Sequence, residues 1–407
     1  MKHLNQLLLC LWTLLIFSHS ISAQELPKVN PKQAGFSEEK LQHLSNYLNR
    51  EIEAKKLAGA VSLIMRNGAI AQHESFGYSN LEEQLAMQKD QLFYIQSMTK
   101  PIISIAFMML YEEGHFDLND PLEKYLPEFA DMQVQKENGE TVKAETPILL
   151  WHLLSHTAGL SHGLGGSDLD RQYREALYMQ QHANIAERVA VLHQLPLVGK
   201  PGEQWYYSAS PDVLSLLIEK FSGMSTADFI QQRIFDPLGM KDTGYNTKKE
   251  NRERVAGLHQ KNQDGTLSLN QRQTPVEGHT IYGGTHGLFS TATDYMRFAR
   301  MLLNKGELEG NRLLSPKTIE LMTVNHVGDL YDDPGYGFGL GFSVRTDLAD
   351  PKILGSEGTF GWSGAYNTYF FVDPEEDMVA ILMMQFAPYT NFYNKKFQQL
   401  VYQALVD

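Results

Sequence analysis

Cysteine is almost missing from this chain of 407 residues: the one example, Cys10, lies in the first apolar stretch. If that stretch is a leader, the remaining chain has no thiol, which excludes disulfides, a cysteine nucleophile and cysteine-ligated metals. Long apolar runs are also lacking after the N-terminus, and none approaches the roughly 20 residues a spanning helix needs. Positive charge is in deficit too. The formal net charge is -13, the opposite of what a nucleic-acid binder requires. No low-complexity run, heptad pattern or fixed-period repeat is visible.

What is present begins with "MKHLNQLLLCLWTLLIFSHSISAQE", in which Lys2 precedes an apolar core and Ala23 offers a cleavage site before Gln24. This reads as a secretory signal peptide over 1–23, so a periplasmic or secreted protein is expected, with no stable membrane insertion once the leader is removed. The remaining 384 residues suffice for one large or two modest domains.

Next, "FSEEKLQHLSNYLNREIEAKK" places Leu41, Leu44 and Leu48 at amphipathic-helix spacing. "GAVSLIMRNGAIAQHESFGYS" reads as a hairpin about Asn67-Gly68. The far end mirrors this: two β-rich runs joined at Asp373-Pro374, then a closing amphipathic helix in "NKKFQQLVYQALV". Between them the pattern is helical and loop-rich, with helix starts expected at Thr146-Pro147 and Pro211-Asp212 and stops near Gly114 and Gly223. The expected fold is α/β (α+β), an antiparallel sheet built from about 24–95 and 330–407 with a helical part from about 96–329, and catalytic groups in the cleft between them.

Ser97-Met98-Thr99-Lys100 sets a serine and a lysine three apart, on one face of a helix. Ordinary composition produces about one or two such matches in a chain this long, and Ser37-Glu38-Glu39-Lys40 is another. That second match has a capping explanation, with two glutamates in the first turn facing the positive helix end. Around Ser97 the context differs. Pro101 is tolerated only near a helix start, and the run Ile102 to Leu110 is apolar nearly all round, as in a buried helix. A lysine entering such a core loses hydration and its pKa falls, which is how an amine becomes a base near neutrality. An N-cap with a snorkelling lysine is the bland alternative.

Rivals are weaker. Gly159-Leu160-Ser161-His162-Gly163 matches the G-x-S-x-G elbow, but that elbow needs a strand before the serine and a helix after it. Here a helix-like "TPILLWHLLSHTAGL" precedes it and "LGGSD" follows. His152 and His156 are four apart without the glutamate of H-E-x-x-H or a third ligand nearby, so packing or loop anchoring is expected and no metal or other cofactor is. A Ser-His-Asp triad remains open among 14 histidines, none in a diagnostic context.

Taken together, "FYIQSMTKP", "LLSHTAGL", "GEQWYYSASPDVLSLLIEKFSG", "YGGTHGLFSTATDYMRFARMLLNKGELEGNRLLSP" and "GWSGAYNTYFFVDPEEDMVAI" resemble the serine β-lactamase superfamily, in particular class C-like β-lactamase-related hydrolases and the esterases called family VIII. The resemblance runs through nearly all of the chain after the leader. It implies a β-lactamase/transpeptidase-like fold with Ser97 as acylated nucleophile, Lys100 as its partner and Tyr207 of Tyr207-Ser208-Ala209 as the third catalytic group. The matches Tyr47-Leu48-Asn49 and Tyr78-Ser79-Asn80 precede the nucleophile and are imitators. It also places Trp362-Ser363-Gly364 on the strand lining the cleft, with Gly364 allowing close approach to substrate, and an oxyanion hole from the amides of Ser97 and Ala365.

Two departures bear on substrate. Ala209 stands where the family has an asparagine that contacts the acyl amide, and Trp362 where it has a lysine. The resemblance then implies a small-molecule ester, amide or lactam substrate, with esters of small acyl groups or apolar alcohols preferred and β-lactams poor. A D-amino-acid amidase or peptidase, a β-lactamase, and a non-catalytic penicillin-binding-like wall protein are the alternatives. No nucleic acid is expected as a partner.

Overall fold

The computed structural model describes residues 27–347 and 352–406, so the expected leader and Cys10 lie outside the described residues. Its centre is an eight-stranded sheet: β1 (Gly59–Arg66), β2 (Ala69–Asn80), β3 (Leu85–Ala86), β4 (Tyr336–Phe338), β5 (Ser343–Arg345), β6 (Phe360–Ser363), β7 (Tyr369–Asp373) and β8 (Met378–Met383). The spatial order is β4-β5-β6-β7-β8-β1-β2-β3, every neighbour antiparallel. The two ends of the chain meet at the centre, where β1 pairs β8 from Val61↔Met383 to Arg66↔Met378.

The first hairpin turns as its sequence demands. Asn67 and Gly68 both take positive φ, 52° and 70°, which a two-residue turn matching the strand twist requires. Both β1 and β8 are buried along their whole length because the sheet is covered on both faces. Alternate residues separate into two cores. Ala60, Ile64, Ala380 and Leu382 face α1 (Glu38–Glu53) and the C-terminal helix Phe392–Tyr402, whereas Val61, Leu63, Ile381 and Met383 face the helical part. In α1 the predicted stripe Leu41, Leu44 and Leu48 is buried, and Ser37 caps the helix by accepting the Lys40 N–H at 3.3 Å.

In the middle of the chain, α2 (Thr99–Glu112) is buried at every residue from Thr99 to Leu110 and packs on α3 (Ser210–Ser222). Pro211 sits in the first turn of α3, and Gly223 closes it at φ 70°. A third helix, α4 (Ala292–Leu303), lies on the inner sheet face although it is distant in sequence from both sheet segments. Tyr295 ties these parts together: its ring meets Phe370 edge-on at 4.9 Å, and its hydroxyl donates to the Met98 carbonyl at 2.9 Å.

The helix expected from Thr146-Pro147 is shorter than its pattern suggested, only Leu150–Leu154. Ile148 and Leu149 are instead extended, because Leu122 N–H donates to the Ile148 carbonyl at 2.7 Å and Leu149 bridges Pro121. Long-range pairing outcompetes local propensity there. Among the described residues, no helix is long and apolar enough to cross a membrane.

Candidate active site

Ser97 lies in the 3-10 turn Gln96–Met98 that leads directly into α2. Gln96 before it holds φ 48°, a left-handed conformation unusual for a residue with a side chain. The turn is clamped from behind: Phe93–Tyr94 pairs with Phe289–Ser290, and the Ile95 amide donates to the Leu288 carbonyl at 3.0 Å.

One turn on, Lys100 is buried at 2 % exposure. Its Nζ lies 3.0 Å from Ser97 Oγ and donates to the Thr285 carbonyl at 2.8 Å. Burial pushes the amine down to about 7, against the opposing pull of Asp212. An amine with that pKa is free for part of the time at neutral pH and can take the Ser97 proton.

Tyr207 completes the group. Its ring lies under Lys100 Nζ at 4.5 Å to the centroid and is surrounded by His156, His162, Trp205 and Trp362 at 4.9 to 6.1 Å. The hydroxyl is buried without a satisfactory hydrogen bond among the described residues. Burial pushes the phenol well up, while the nearby Ser97 hydroxyl and Trp362 favour its ionised form. The structure therefore brings Ser97, Lys100 and Tyr207 together, although 107 positions separate Lys100 from Tyr207.

Ser97 and Ala365 line the same cleft, of about 590 Å³. Ala365 follows the end of β6, and its amide donates to no acceptor among the described residues. Gly364 is needed for packing within the protein itself. A Cβ there would stand 2.4 Å from the Ile95 carbonyl oxygen and 2.3 Å from Thr368 Oγ1. This close approach is to the backbone just before Ser97, and the next residue, Ala365, lines the cleft with the serine.

The structure places the other residues expected to meet substrate as follows. Ala209 is fully buried, with its amide donating to the Ser161 carbonyl at 3.2 Å, and it is absent from the cleft lining. It sits at the tight entry to α3, where the side chain faces core rather than solvent. Trp362 and Ser363 line a separate cavity of about 180 Å³. Ser363 Oγ is 3.0 Å from the Tyr389 hydroxyl, and the Trp362 ring meets Phe338 edge-on at 5.2 Å. Trp362 touches the catalytic group through Tyr207 instead.

The rivals have structural employment. Ser161 is fully buried, donating to Asp170 Oδ1 at 2.6 Å and accepting the Gly163 N–H at 2.8 Å. His152 Nδ1 accepts the Leu149 N–H at 3.0 Å, and His156 Nδ1 accepts the Ser208 N–H at 3.2 Å. Both histidines anchor loops, as expected.

Sequence reasoning missed the groups behind Lys100. Asp212 accepts Arg188 Nε at 2.7 Å and the Thr285 amide at 2.8 Å, and His286 Nδ1 pairs with the Tyr94 hydroxyl at 3.1 Å. Burial would raise the Asp212 carboxyl, but Arg188 and the neighbouring donors outweigh it and hold it near 2. The same burial, with Arg188 adding to it, takes His286 down to about 4. A signal for Asp212 existed: it is an acid in the first turn of a helix that continues in the mainly apolar run Val213 to Ile218.

Comparison with known proteins identifies the family. A family model described as Beta-lactamase matches residues 44–403. An uncharacterized Mycobacterium tuberculosis protein is 34% identical over 357 residues, covering 83% of this chain and 88% of its own. Esterase EstB of Burkholderia gladioli is 27% identical over 363 residues, covering 84% and 89%. Among solved structures, EstCE1, a hydrolase with promiscuous acyltransferase activity, superposes with a TM-score of 0.77 at 23% identity, covering 89% of this chain and 99% of that one. Simvastatin synthase (LovD) from Aspergillus terreus gives 0.76 at 23%, covering 90% and 98%. With the family model matched over most of its length, the chain belongs to the β-lactamase family.

Proposed function

We propose that this protein is a serine hydrolase that cleaves carboxylic esters through an acyl-enzyme on Ser97. The observation that carries the reading is the buried Lys100 amine, 3.0 Å from Ser97 Oγ and brought down to about 7 by its loss of hydration. In this scheme Lys100, with Tyr207 against it, takes the hydroxyl proton as Oγ attacks the carbonyl carbon. The amides of Ser97 and Ala365 hold the oxyanion, the alcohol leaves with a returned proton, and water cleaves the acyl-enzyme. Likeness to an esterase supports the ester class. By the family resemblance, neither an asparagine at Ala209 nor a lysine at Trp362 is available to hold a lactam's amide and carboxylate, so β-lactams should be poor substrates. Export rests on residues 1–23.

The test is fluorophosphonate labelling with the label located by peptide mass, together with p-nitrophenyl butyrate turnover in EDTA. Label on Ser97 with EDTA-resistant turnover is expected, and protein recovered from exporting cells should begin at Gln24. Ser97→Ala and Tyr207→Phe should each remove most activity and leave the protein folded. An active Ser97→Ala, or a cephalosporin cleaved far better than any short-chain aryl ester, would overturn the assignment.

A further inference from the structure

A line of four contacts connects a buried ion pair to the Ser97 hydroxyl. Arg188 Nε donates to Asp212 Oδ2 at 2.7 Å, and Asp212 Oδ1 accepts the Thr285 amide at 2.8 Å. The carbonyl of Thr285 accepts Lys100 Nζ at 2.8 Å, and Nζ lies 3.0 Å from Ser97 Oγ. Resting on the reading of Ser97 as nucleophile and Lys100 as base, we propose that Asp212 is a positioning residue for Lys100. Through the Thr285 backbone it aims the amine at Ser97, and its negative charge opposes loss of the amine's proton.

The geometry gives each part a reason. A neutral amine has one lone pair, so an N–H committed to the Thr285 carbonyl, with the Tyr207 ring 4.5 Å from Nζ, leaves the lone pair for Ser97. The loop carrying Thr285 is pressed onto the start of α3. A Cβ on Gly283 would stand 2.7 Å from Asp212 Oδ1, and one on Gly284 2.0 Å from the Pro211 carbonyl oxygen. Both glycines are therefore required for Thr285 to reach Asp212. Arg188 cannot swing away, since its Nη1 donates to the Leu177 carbonyl at 2.6 Å and it lies 4.9 Å over the Tyr178 ring.

Charges around Lys100 come from several elements. His156 and His162 on the loop after Leu150–Leu154, and His286 beside Thr285, are all lowered by burial and so are neutral near pH 7. Tyr207 is raised and also neutral. Asp212 is the anion facing Lys100 here, and Arg188, its ion-pair partner, is the cation that stays charged across this pH range. An ion pair that merely stapled the short helix Ile185–Ala190 to α3 would affect stability but leave the titration of Lys100 unmoved.

The experiment follows the rate of fluorophosphonate labelling from pH 5 to 9, a step in which the Ser97 Oγ–phosphorus bond forms, fluoride leaves and the proton passes to Lys100. Asp212→Asn keeps an oxygen for the Thr285 amide and loses the charge. Its acid limb should move down by about one pH unit. Asp212→Ala also frees the Thr285 backbone, and its plateau rate should fall by at least about 10-fold below that of Asp212→Asn. A folded Asp212→Asn with an unmoved or raised acid limb overturns the electrostatic part; equal plateaus in the two variants overturn the positioning part. If a single variant does not fold, Asp212→Leu with Arg188→Met, which strands no charge, is measured in its place. A plateau lowered by about 10-fold is then expected, and a wild-type plateau refutes the proposal. A wild-type enzyme unlabelled at Ser97 would refute the nucleophile itself, a distinct failure.

Discussion

Substituting Gly364 by alanine tests how the cleft is assembled rather than which groups do the chemistry. The new Cβ would be placed 2.4 Å from the Ile95 carbonyl oxygen, a backbone atom that no side-chain rotation can remove. Ordinary carbon-to-oxygen contacts begin at about 3.3 Å, so the end of β6 must withdraw by about 1 Å. The next residue is Ala365, the proposed second oxyanion donor, which lines the cleft with Ser97 and must withdraw with the strand. A misplacement of about 1 Å costs on the order of 100-fold in rate, and loss of one oxyanion donor costs about 100- to 1,000-fold. The expected fall in kcat/KM is therefore about 100-fold, or roughly 2.7 kcal/mol of transition-state stabilisation. Ester hydrolysis should be measured per labelled Ser97, so that unfolded protein is not counted. Gly68→Ala is the control. Gly68, unlike Gly364, has positive φ, 70°, but its Cβ would meet nothing within 4 Å, so the variant should lose about 1 kcal/mol of stability and no activity per site. A folded Gly364→Ala with wild-type kcat/KM would refute this account of the glycine.

Two further outcomes follow from burial. Ester turnover should rise through about pH 7 as Lys100 loses its proton. Because the folded amine titrates near 7 and the unfolded one near 10.5, the unfolded chain binds more protons between these values, and stability rises with pH across that window. Lys100→Met should accordingly gain more urea resistance over wild type at pH 6 than at pH 9; an equal difference at both would contradict the burial argument. Ser161→Ala, which leaves Asp170 and the Gly163 amide short of a partner, should lose about 1 to 3 kcal/mol in denaturant unfolding while labelling at Ser97 persists. Loss of labelling in folded protein would reopen Ser161 as a functional serine.

What could be read from the sequence shares one property: its cause is local. Ser37 caps a helix, Asn67-Gly68 turns a hairpin, Pro211 opens α3 and Gly223 closes it, because backbone geometry and hydrogen bonds act over a few residues. The all-round apolar run after Pro101 marked α2 as buried, and with it the depressed lysine. The tertiary structure decided everything that depends on which face of a segment meets a distant one. It made Ile148 and Leu149 extended by pairing them with Pro121 and Leu122, turned Ala209 into the core, and directed Ser363 toward Tyr389. It placed Asp212 against Thr285, 73 positions along the chain, and through it beside Lys100. No periodicity encodes such a contact, because the free energy that holds it arises only when separate elements have packed and water has left the space between them.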